Sequence, residues 1–230
     1  MSEPSARRGR RRAPRGSGEQ LRGEILDATT ELLLKTGHAK DVSIRAVAQR
    51  VGVTSRSIYL HFADKDALLD AVCARYFEEL HTEMQRAVEG KVSTLEELRA
   101  QGMAYVRFAI AKPELYRIAT MGEGRPGSDV DAALTSSAFV HLRESVASLI
   151  SEGVYPPGDP TTLTLELWTA AHGVAAMLIA KPYLPFGDPL TFADNVLRAV
   201  CTGHMAIGIV GVDSDPGQTL QWVLDNKGVR

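Results

Sequence analysis

Between Thr54 and Lys65 the chain concentrates side chains that donate hydrogen bonds. These donors are the hydroxyl, guanidinium, imidazole and ammonium groups of Thr54, Ser55, Arg56, Ser57, Tyr59, His61 and Lys65. Hydroxyl groups grip phosphate oxygens, and a guanidinium group can read guanine through two parallel hydrogen bonds. Their types therefore indicate noncovalent recognition of nucleic acid, with Arg56 as the candidate base-reading residue.

Two short helices joined by a tight turn are predicted to position these groups. Ser43–Arg50 and Thr54–Leu60 read as helices in which Ser43 and Thr54 cap the first free N–H groups. Gly52 lies where the turn needs a positive φ, which a β-carbon opposes. The small core shared by the two helices is expected to consist of Val47, Ala48, Val51, Val53 and Ile58. This pattern is typical of a helix-turn-helix that presents its second helix to the major groove of double-stranded DNA.

The same segment resembles the TetR family of one-component regulators. The resemblance rests on Ser43-Ile44-Arg45-Ala46-Val47-Ala48, Gly52-Val53-Thr54 and Ile58-Tyr59-Leu60-His61-Phe62 followed by Lys65. It implies that Tyr59, His61 and Lys65 contact the DNA backbone and that Phe62 packs against the first and fourth helices. Leu60 stands where a basic residue is common in the family. Ser43 and Arg45 complete the DNA-contacting set predicted for residues 43–65.

The N-terminal segment, residues 1–17, predicts a disordered basic arm. It contains six arginines between Arg7 and Arg15 and almost no apolar residue, a composition that cannot form a packed core. Either Arg10, Arg11 and Arg12 contact DNA along the minor groove, or the arm only solubilises the chain. Residues 1–66 hold 13 Lys/Arg and 8 Asp/Glu, whereas residues 67–230 hold 13 and 20. A basic front and an acidic body fit a protein whose front meets a polyanion.

The remaining sequence predicts an all-α fold, because apolar residues follow the helical period and prolines punctuate the segments. We expect a three-helix DNA-binding domain at 18–66, a helical ligand-binding and dimerisation domain at 67–212, and a flexible tail at 213–230. The predicted helices beyond residue 63 are Asp64–Glu89, Ser93–Ala111, Pro113–Thr120, Ser128–Ser151, Thr161–Ala180 and Pro189–Val210. No alternating apolar and polar run predicts a sheet.

The last two long helices predict a homodimer. Thr161–Ala180 and Pro189–Val210 are apolar nearly all round, so they must be buried on several sides. Two from each subunit would form a four-helix interface, which implies a palindromic operator read by two helices roughly 34–36 Å apart. The alternative is that both are core helices of a monomer. The segment Leu167–Gly173 also resembles the Trp–His–Gly signature of one C-terminal subgroup of the family.

A hydrophobic or aromatic small molecule is the predicted ligand of the body. The resemblance implies a small-molecule ligand, and the concentration of aromatic and long apolar residues in the middle helices suggests an apolar cavity. The predicted lining residues are Phe77, Tyr105, Phe108, Tyr116, Met121, Phe139, Leu142, Trp168, His172 and Met177. Each of them also suits a plain core. By resemblance, ligand would release the protein from DNA and relieve repression; activation is the alternative.

Other functions are weakly supported. Gly122–Gly127 spells a dinucleotide-binding fingerprint but follows a predicted helix instead of a strand. The six histidines and two cysteines are scattered, without His-x₃-His spacing, so no metal or cofactor is expected; a metal-responsive regulator remains an alternative. No nucleophile elbow or phosphate loop indicates an enzyme. Cys73 and Cys201 suggest a reducing cytoplasm, and the apolar runs are too short to span a membrane.

Overall fold

The computed structural model describes residues 17–121, 138–211 and 213–227. Over these ranges the ordered elements are α-helices and a single 3-10 turn, without a strand, which confirms the all-α prediction. The chain divides into two compact units, Met1–Leu69 and Asp70–Arg230. This division and the predicted boundary at residue 66 both fall in the first turns of one long helix.

The first unit is built on a long helix that packs against a pair of short ones. Its elements are α1 (Ser17–Thr36), a 3-10 turn (Ala39–Asp41), α2 (Ile44–Val51), α3 (Ser55–Tyr59) and the beginning of α4 (Lys65–Val88). Helix α1 ends as predicted at Gly37, whose φ is 72° and whose N–H donates to the carbonyl of Leu33. The core is small and apolar: Ile25, Leu26, Leu33, Val42, Val47, Ile58, Phe62 and Leu68 are all buried.

The second unit is a helical bundle in which Thr94–Ala111 is the central helix. Beyond α4, its helices are α5 (Thr94–Ala111), α6 (Pro113–Met121), α7 (Ala138–Ser151), α8 (Pro160–Ala180) and α9 (Pro189–Val210). Helix α5 packs against α7, α8 and α9, and α8 packs against α7 and α9. Asp159 and Asp188 cap α8 and α9, each followed by a proline that suits the first helical position. The predicted Ser128–Ser151 is observed from Ala138, and residues 122–137 lie outside the described ranges.

Helix α8 is long and apolar enough to cross a membrane by length and composition alone. The helix, which Asp159 caps and Pro160 begins, is longer than its nearly apolar run, Trp168–Ala180. In the fold it packs against three neighbours and buries seven side chains, among them Leu163, Leu167 and Leu178. A core helix of a helical bundle needs this apolar composition for the same reason that a membrane helix does.

The segment predicted as a flexible tail, 213–230, contains a helix that was not predicted from the sequence. Residues Pro216–Asn226 form a further helix, α10. The Asp215 carboxylate accepts from the N–H of Gln218 at 2.9 Å, and the Gln218 side chain accepts from the N–H of Asp215 at 2.8 Å. This capping box satisfies the free donors locally, so the helix begins without burying a residue. The sequence signal was the Asp-Pro-Gly-Gln run, whose polarity suggested disorder instead.

Candidate functional site

The turn between α2 and α3 has the geometry that the glycine predicted. Gly52 adopts φ 79° and ψ 28°, the left-handed conformation, and its N–H donates to the carbonyl of Ala48 at 3.0 Å. The N–H of Val53 donates to the same carbonyl at 2.9 Å. Two bonds to one carbonyl close the turn tightly, and a side chain at position 52 would strain it.

Both predicted caps are present. The Ser43 hydroxyl accepts from the N–H of Ala46 at 3.1 Å, and the Thr54 hydroxyl accepts from the N–H of Ser57 at 3.3 Å. The hydroxyl oxygens of Thr54 and Ser57 also lie 3.0 Å apart. The caps define where α2 and α3 begin, so that the remaining side chains of α3 project from a defined backbone.

Helix α3 has one buried face and one open face. Ile58 is fully buried and anchors the helix to the core of the first unit. Arg56 is exposed, and Tyr59 and Leu60 are 52% and 78% exposed. The exposed side thus includes the guanidinium of Arg56 and the phenol of Tyr59, the groups predicted to read a base and to contact phosphate. The apolar Leu60 is also on the exposed side, although it is not part of the buried core.

The other residues predicted to contact DNA differ in how exposed they are. Thr54 and Arg45 are exposed, whereas Ser55, Ser57 and His61 are half-buried. Arg10, Arg11 and Arg12 lie outside the described residues. All the described members of the set belong to the first unit.

The start of α4 carries Lys65 and its cap. The Asp64 carboxylate accepts from the N–H of Ala67 at 2.7 Å, as its cap position predicts. Lys65 is half-buried, and its ammonium donates to the carbonyl of Lys40 at 3.4 Å. This contact holds a positive charge beside a helix N-terminus, where phosphate is favoured by free N–H groups and by the helix dipole.

Helix α1 braces the helix-turn-helix through contacts that the sequence did not reveal. The guanidinium carbon of Arg22 lies 5.0 Å from the centroid of the buried Phe62 ring, a cation–π contact. Arg50 of α2 pairs with Glu31 of α1, with Nη2 and Oε2 2.6 Å apart. The Phe62 contact with α1 agrees with the family expectation. In the sequence alone, Arg22 and Arg50 indicated only positive charge, and their partners could not be identified.

The second unit contains a cavity of about 470 Å³, within the size range of small-molecule sites. It is lined from α4, α5, α7, α8 and α9. Five predicted ligand-binding residues line it: Phe77, Tyr105, Phe139, Leu142 and Trp168. The rings of Phe139 and Trp168 meet edge to face at 6.1 Å, so they form one aromatic wall.

Four other predicted ligand-binding residues are not among those that line the cavity. Phe108 and Tyr116 are buried in the core, and Met177 is 45% exposed on the surface of α8. The Nδ1 atom of His172 lies 2.9 Å from the Tyr116 hydroxyl and 3.2 Å from that of Tyr105. Burial lowers the pKa of His172, which favours the neutral ring. Phe108, Tyr116 and His172 thus contribute to the packing of α5, α6 and α8, and the side chain of a fifth predicted residue, Met121, is not described.

Several lining residues were not predicted. Helix α9 contributes Leu197, Cys201 and Met205, which the uniform apolar character of that helix concealed. Gln101 was detectable as the single polar residue in the buried stripe of α5 that also contains Leu98 and Tyr105. The fingerprint-like Gly122–Gly127 segment lies outside the described residues.

Two further histidines approach each other in this unit. His81 and His141 meet edge to face with ring centroids 5.9 Å apart. Burial, with a smaller contribution from His81, lowers the pKa of His141. Within the part of the chain that the structure describes, no group of three or more His, Cys, Asp or Glu side chains is placed to hold a metal ion.

Comparison with known proteins places both units in one family. Residues 25–72 match the model described as "Bacterial regulatory proteins, tetR family", and residues 98–200 match "Tetracyclin repressor-like, C-terminal domain". The chain belongs to the TetR family. As a TetR-family protein it is a DNA-binding transcriptional regulator and not an enzyme.

Individual proteins match this chain at low sequence identity. The nucleoid occlusion factor SlmA of Vibrio campbellii is 30% identical over 97 residues, covering 42% of this chain and 50% of that protein. The match thus spans half the length of that curated relative. A Rhodococcus sp. RHA1 structure of a protein with unknown function has 27% identity and a TM-score of 0.70, covering 80% of this chain and 95% of that one. The structure of RolR in complex with its ligand resorcinol shares the fold at 16% identity and a TM-score of 0.62, covering 84% and 94%.

Proposed function

We propose that this TetR-family regulator is a ligand-released repressor that binds a palindromic operator as a homodimer in the cytoplasm. The observation that carries the proposal is the pairing of a capped α3 exposing Arg56 and Tyr59 with an apolar cavity in the second unit. RolR, which has the same fold, was solved with a small aromatic ligand. That precedent favours a ligand-responsive second unit here.

The surfaces of α8 and α9 support the homodimer. Leu165 and Met177 of α8 are both 45% exposed, and Ile209 of α9 is 64% exposed. Pairing α8 and α9 with the same helices of a second copy would remove this apolar area from water. A two-fold dimer would then present two α3 helices to successive major grooves.

Helix α4 supports the coupling of ligand to DNA release. Its first turn belongs to the first unit, while Phe77, Leu80 and Met84 line the cavity. A ligand that rearranges these side chains acts on the helix that leads into the DNA-binding unit. It releases DNA only if it binds the released conformation more tightly than the DNA-bound one. Activation of transcription by the same protein is the competing outcome.

Selection of bound genomic fragments tests this function directly. We expect enriched fragments to share a palindrome whose half-sites lie about one helical turn apart, centre to centre. The genes beside the site identify the regulated process, and a reporter with and without the protein distinguishes repression from activation. Enrichment without a repeated half-site would contradict a symmetric dimeric reader.

Substitution of Arg56 separates base reading from phosphate binding. Arg56→Ala is expected to relax specificity at one base pair per half-site and to cost about 1–3 kcal/mol on the preferred sequence. Tyr59→Phe should instead weaken binding to all sequences by a similar factor, because it removes a phosphate contact. Affinities for the operator and for each single-base variant, measured at one salt concentration, provide the comparison. If Arg56→Ala weakens every sequence equally, the base-reading role is wrong.

A further inference from the structure

The cavity in the second unit has an apolar interior and a charged edge. Phe77, Leu80, Leu142 and Leu167 are buried lining residues. The charged lining residues, Glu96, Arg99 and Arg198, are all exposed to solvent. The interior formed by the described residues therefore holds no ionised group.

The two arginines at this edge already have partners. Arg99 binds the Asp194 carboxylate through two hydrogen bonds, at 2.7 and 2.9 Å, and Arg198 donates to Asn195 at 2.9 Å. An anion that bound Arg99 would have to compete with the Asp194 carboxylate. A cation or an anion placed deeper would lose its hydration without gaining an opposite charge, which is costly. The cavity thus favours a neutral molecule.

One buried polar atom in the lining lacks a partner. Gln101 is fully buried, and its Nε2 donates to the Ser145 hydroxyl at 2.9 Å. Among the described residues, nothing donates to its Oε1. Buried polar atoms are nearly always hydrogen-bonded in folded proteins, so an unpartnered carbonyl on a residue that lines a cavity indicates a donor supplied by the occupant.

The orientation of the Gln101 amide follows from its neighbour. The Ser145 hydroxyl donates to the carbonyl of His141 at 3.4 Å, which uses its only hydrogen. Its lone pairs then accept from Gln101, so the group facing Ser145 is the amide nitrogen. The free group is the carbonyl oxygen, an acceptor.

The other buried polar groups in the wall are already engaged or neutral. The Tyr105 hydroxyl bonds to His172 at 3.2 Å. Burial raises the pKa of Cys201, so its thiol stays uncharged. Gln101 is accordingly the strongest acceptor that the buried part of the described wall offers to an occupant.

We propose that the cavity binds a neutral, largely apolar molecule that donates one hydrogen bond, from a hydroxyl or N–H group, to Oε1 of Gln101. The inference rests on the proposed ligand-binding role of the second unit and specifies the class of that ligand. Apolar contact with the aromatic wall supplies most of the affinity, and the hydrogen bond selects among apolar molecules.

Matched probes that differ only in the donor test this assignment on the full chain. 4-Phenylphenol is compared with 4-methoxybiphenyl, and 1-dodecanol with its methyl ether, by isothermal titration calorimetry. We expect at least one alcohol to bind about five- to tenfold more tightly than its ether, the usual contribution of one neutral hydrogen bond. Gln101→Met, similar in length and without an acceptor carbonyl, should bring the ratio close to one. The control Phe139→Leu should weaken alcohol and ether by the same factor.

Equal binding of alcohols and ethers to the wild type would overturn the proposal, because a water molecule and not the ligand would then donate the hydrogen bond to Oε1. Preferential binding of 4-phenylbenzoate, or failure of every neutral probe to bind, would overturn it as well. The comparison on the wild type needs no variant, so it stands even if Gln101→Met misfolds. Operator release is measured separately by fluorescence anisotropy. An alcohol that binds with the expected selectivity but leaves DNA bound contradicts the proposed release mechanism and not this assignment.

Discussion

Deleting residues 2–16 is expected to weaken operator binding steeply and to reduce the slope of log affinity against log salt by about 5. The deleted segment contains six arginines, and each phosphate that an arginine neutralises contributes roughly 0.9 to that slope on duplex DNA. A β-carbon built on Gly18, at the start of α1, would lie 4.0 Å from Cε1 of His61. The segment therefore joins the described fold beside a predicted phosphate-contacting residue. Affinity would be measured from about 50 to 300 mM salt.

Two variants of equal length separate charge from bulk in this experiment. Replacing the six arginines by lysines keeps the charge and should keep the salt slope, with some loss of affinity if the guanidinium groups enter the minor groove. Replacing them by serines should reproduce the deletion. A slope that stays unchanged after deletion would show that the segment only solubilises the chain.

The helix-turn-helix could be predicted closely because its determinants are local. Ser43 and Thr54 cap helices within three residues of themselves, and Gly52 sets a turn through its own φ. Each of these effects acts through neighbours in sequence, so residue type and spacing contain the information. The contacts of Arg22 with Phe62 and of Arg50 with Glu31 were missed because they join residues far apart in the chain.

The cavity was only partly predictable for the same reason. Large apolar side chains mark both cores and pockets, and the packing of five helices decides which they become. Tyr116 and Phe108 fill the core, while Leu197, on a helix without a distinguishing pattern, lines the cavity. Gly102 also contributes, since a β-carbon there would lie 3.2 Å from Leu197 Cδ1, so α5 and α9 approach closely. Such a constraint belongs to a pair of helices and cannot be read from either one.

Ile58→Ala is expected to unfold the DNA-binding unit while sparing the cavity. Ile58 is fully buried where α3 joins the core of the first unit. Truncating such a side chain costs about 2–5 kcal/mol, from lost burial and the space left behind. A unit of this size is stable by only a few kcal/mol, so specific operator binding should be abolished. Probe binding should persist, because every described lining residue belongs to the second unit.

The distribution of tryptophan makes this result directly observable. The two tryptophans, Trp168 and Trp222, both lie in the second unit, so their fluorescence reports its unfolding, whereas far-UV circular dichroism reports helices of both units. In urea, Ile58→Ala should move part of the dichroism transition to lower concentration and leave the fluorescence midpoint in place. Leu60→Ala is the matched control, since Leu60 is 78% exposed and close by on the same helix end; its stability should change by less than about 0.5 kcal/mol. If the fluorescence midpoint falls together with the dichroism, the two units unfold as one. If Ile58→Ala behaves like Leu60→Ala, the assignment of Ile58 as the anchor of α3 is wrong.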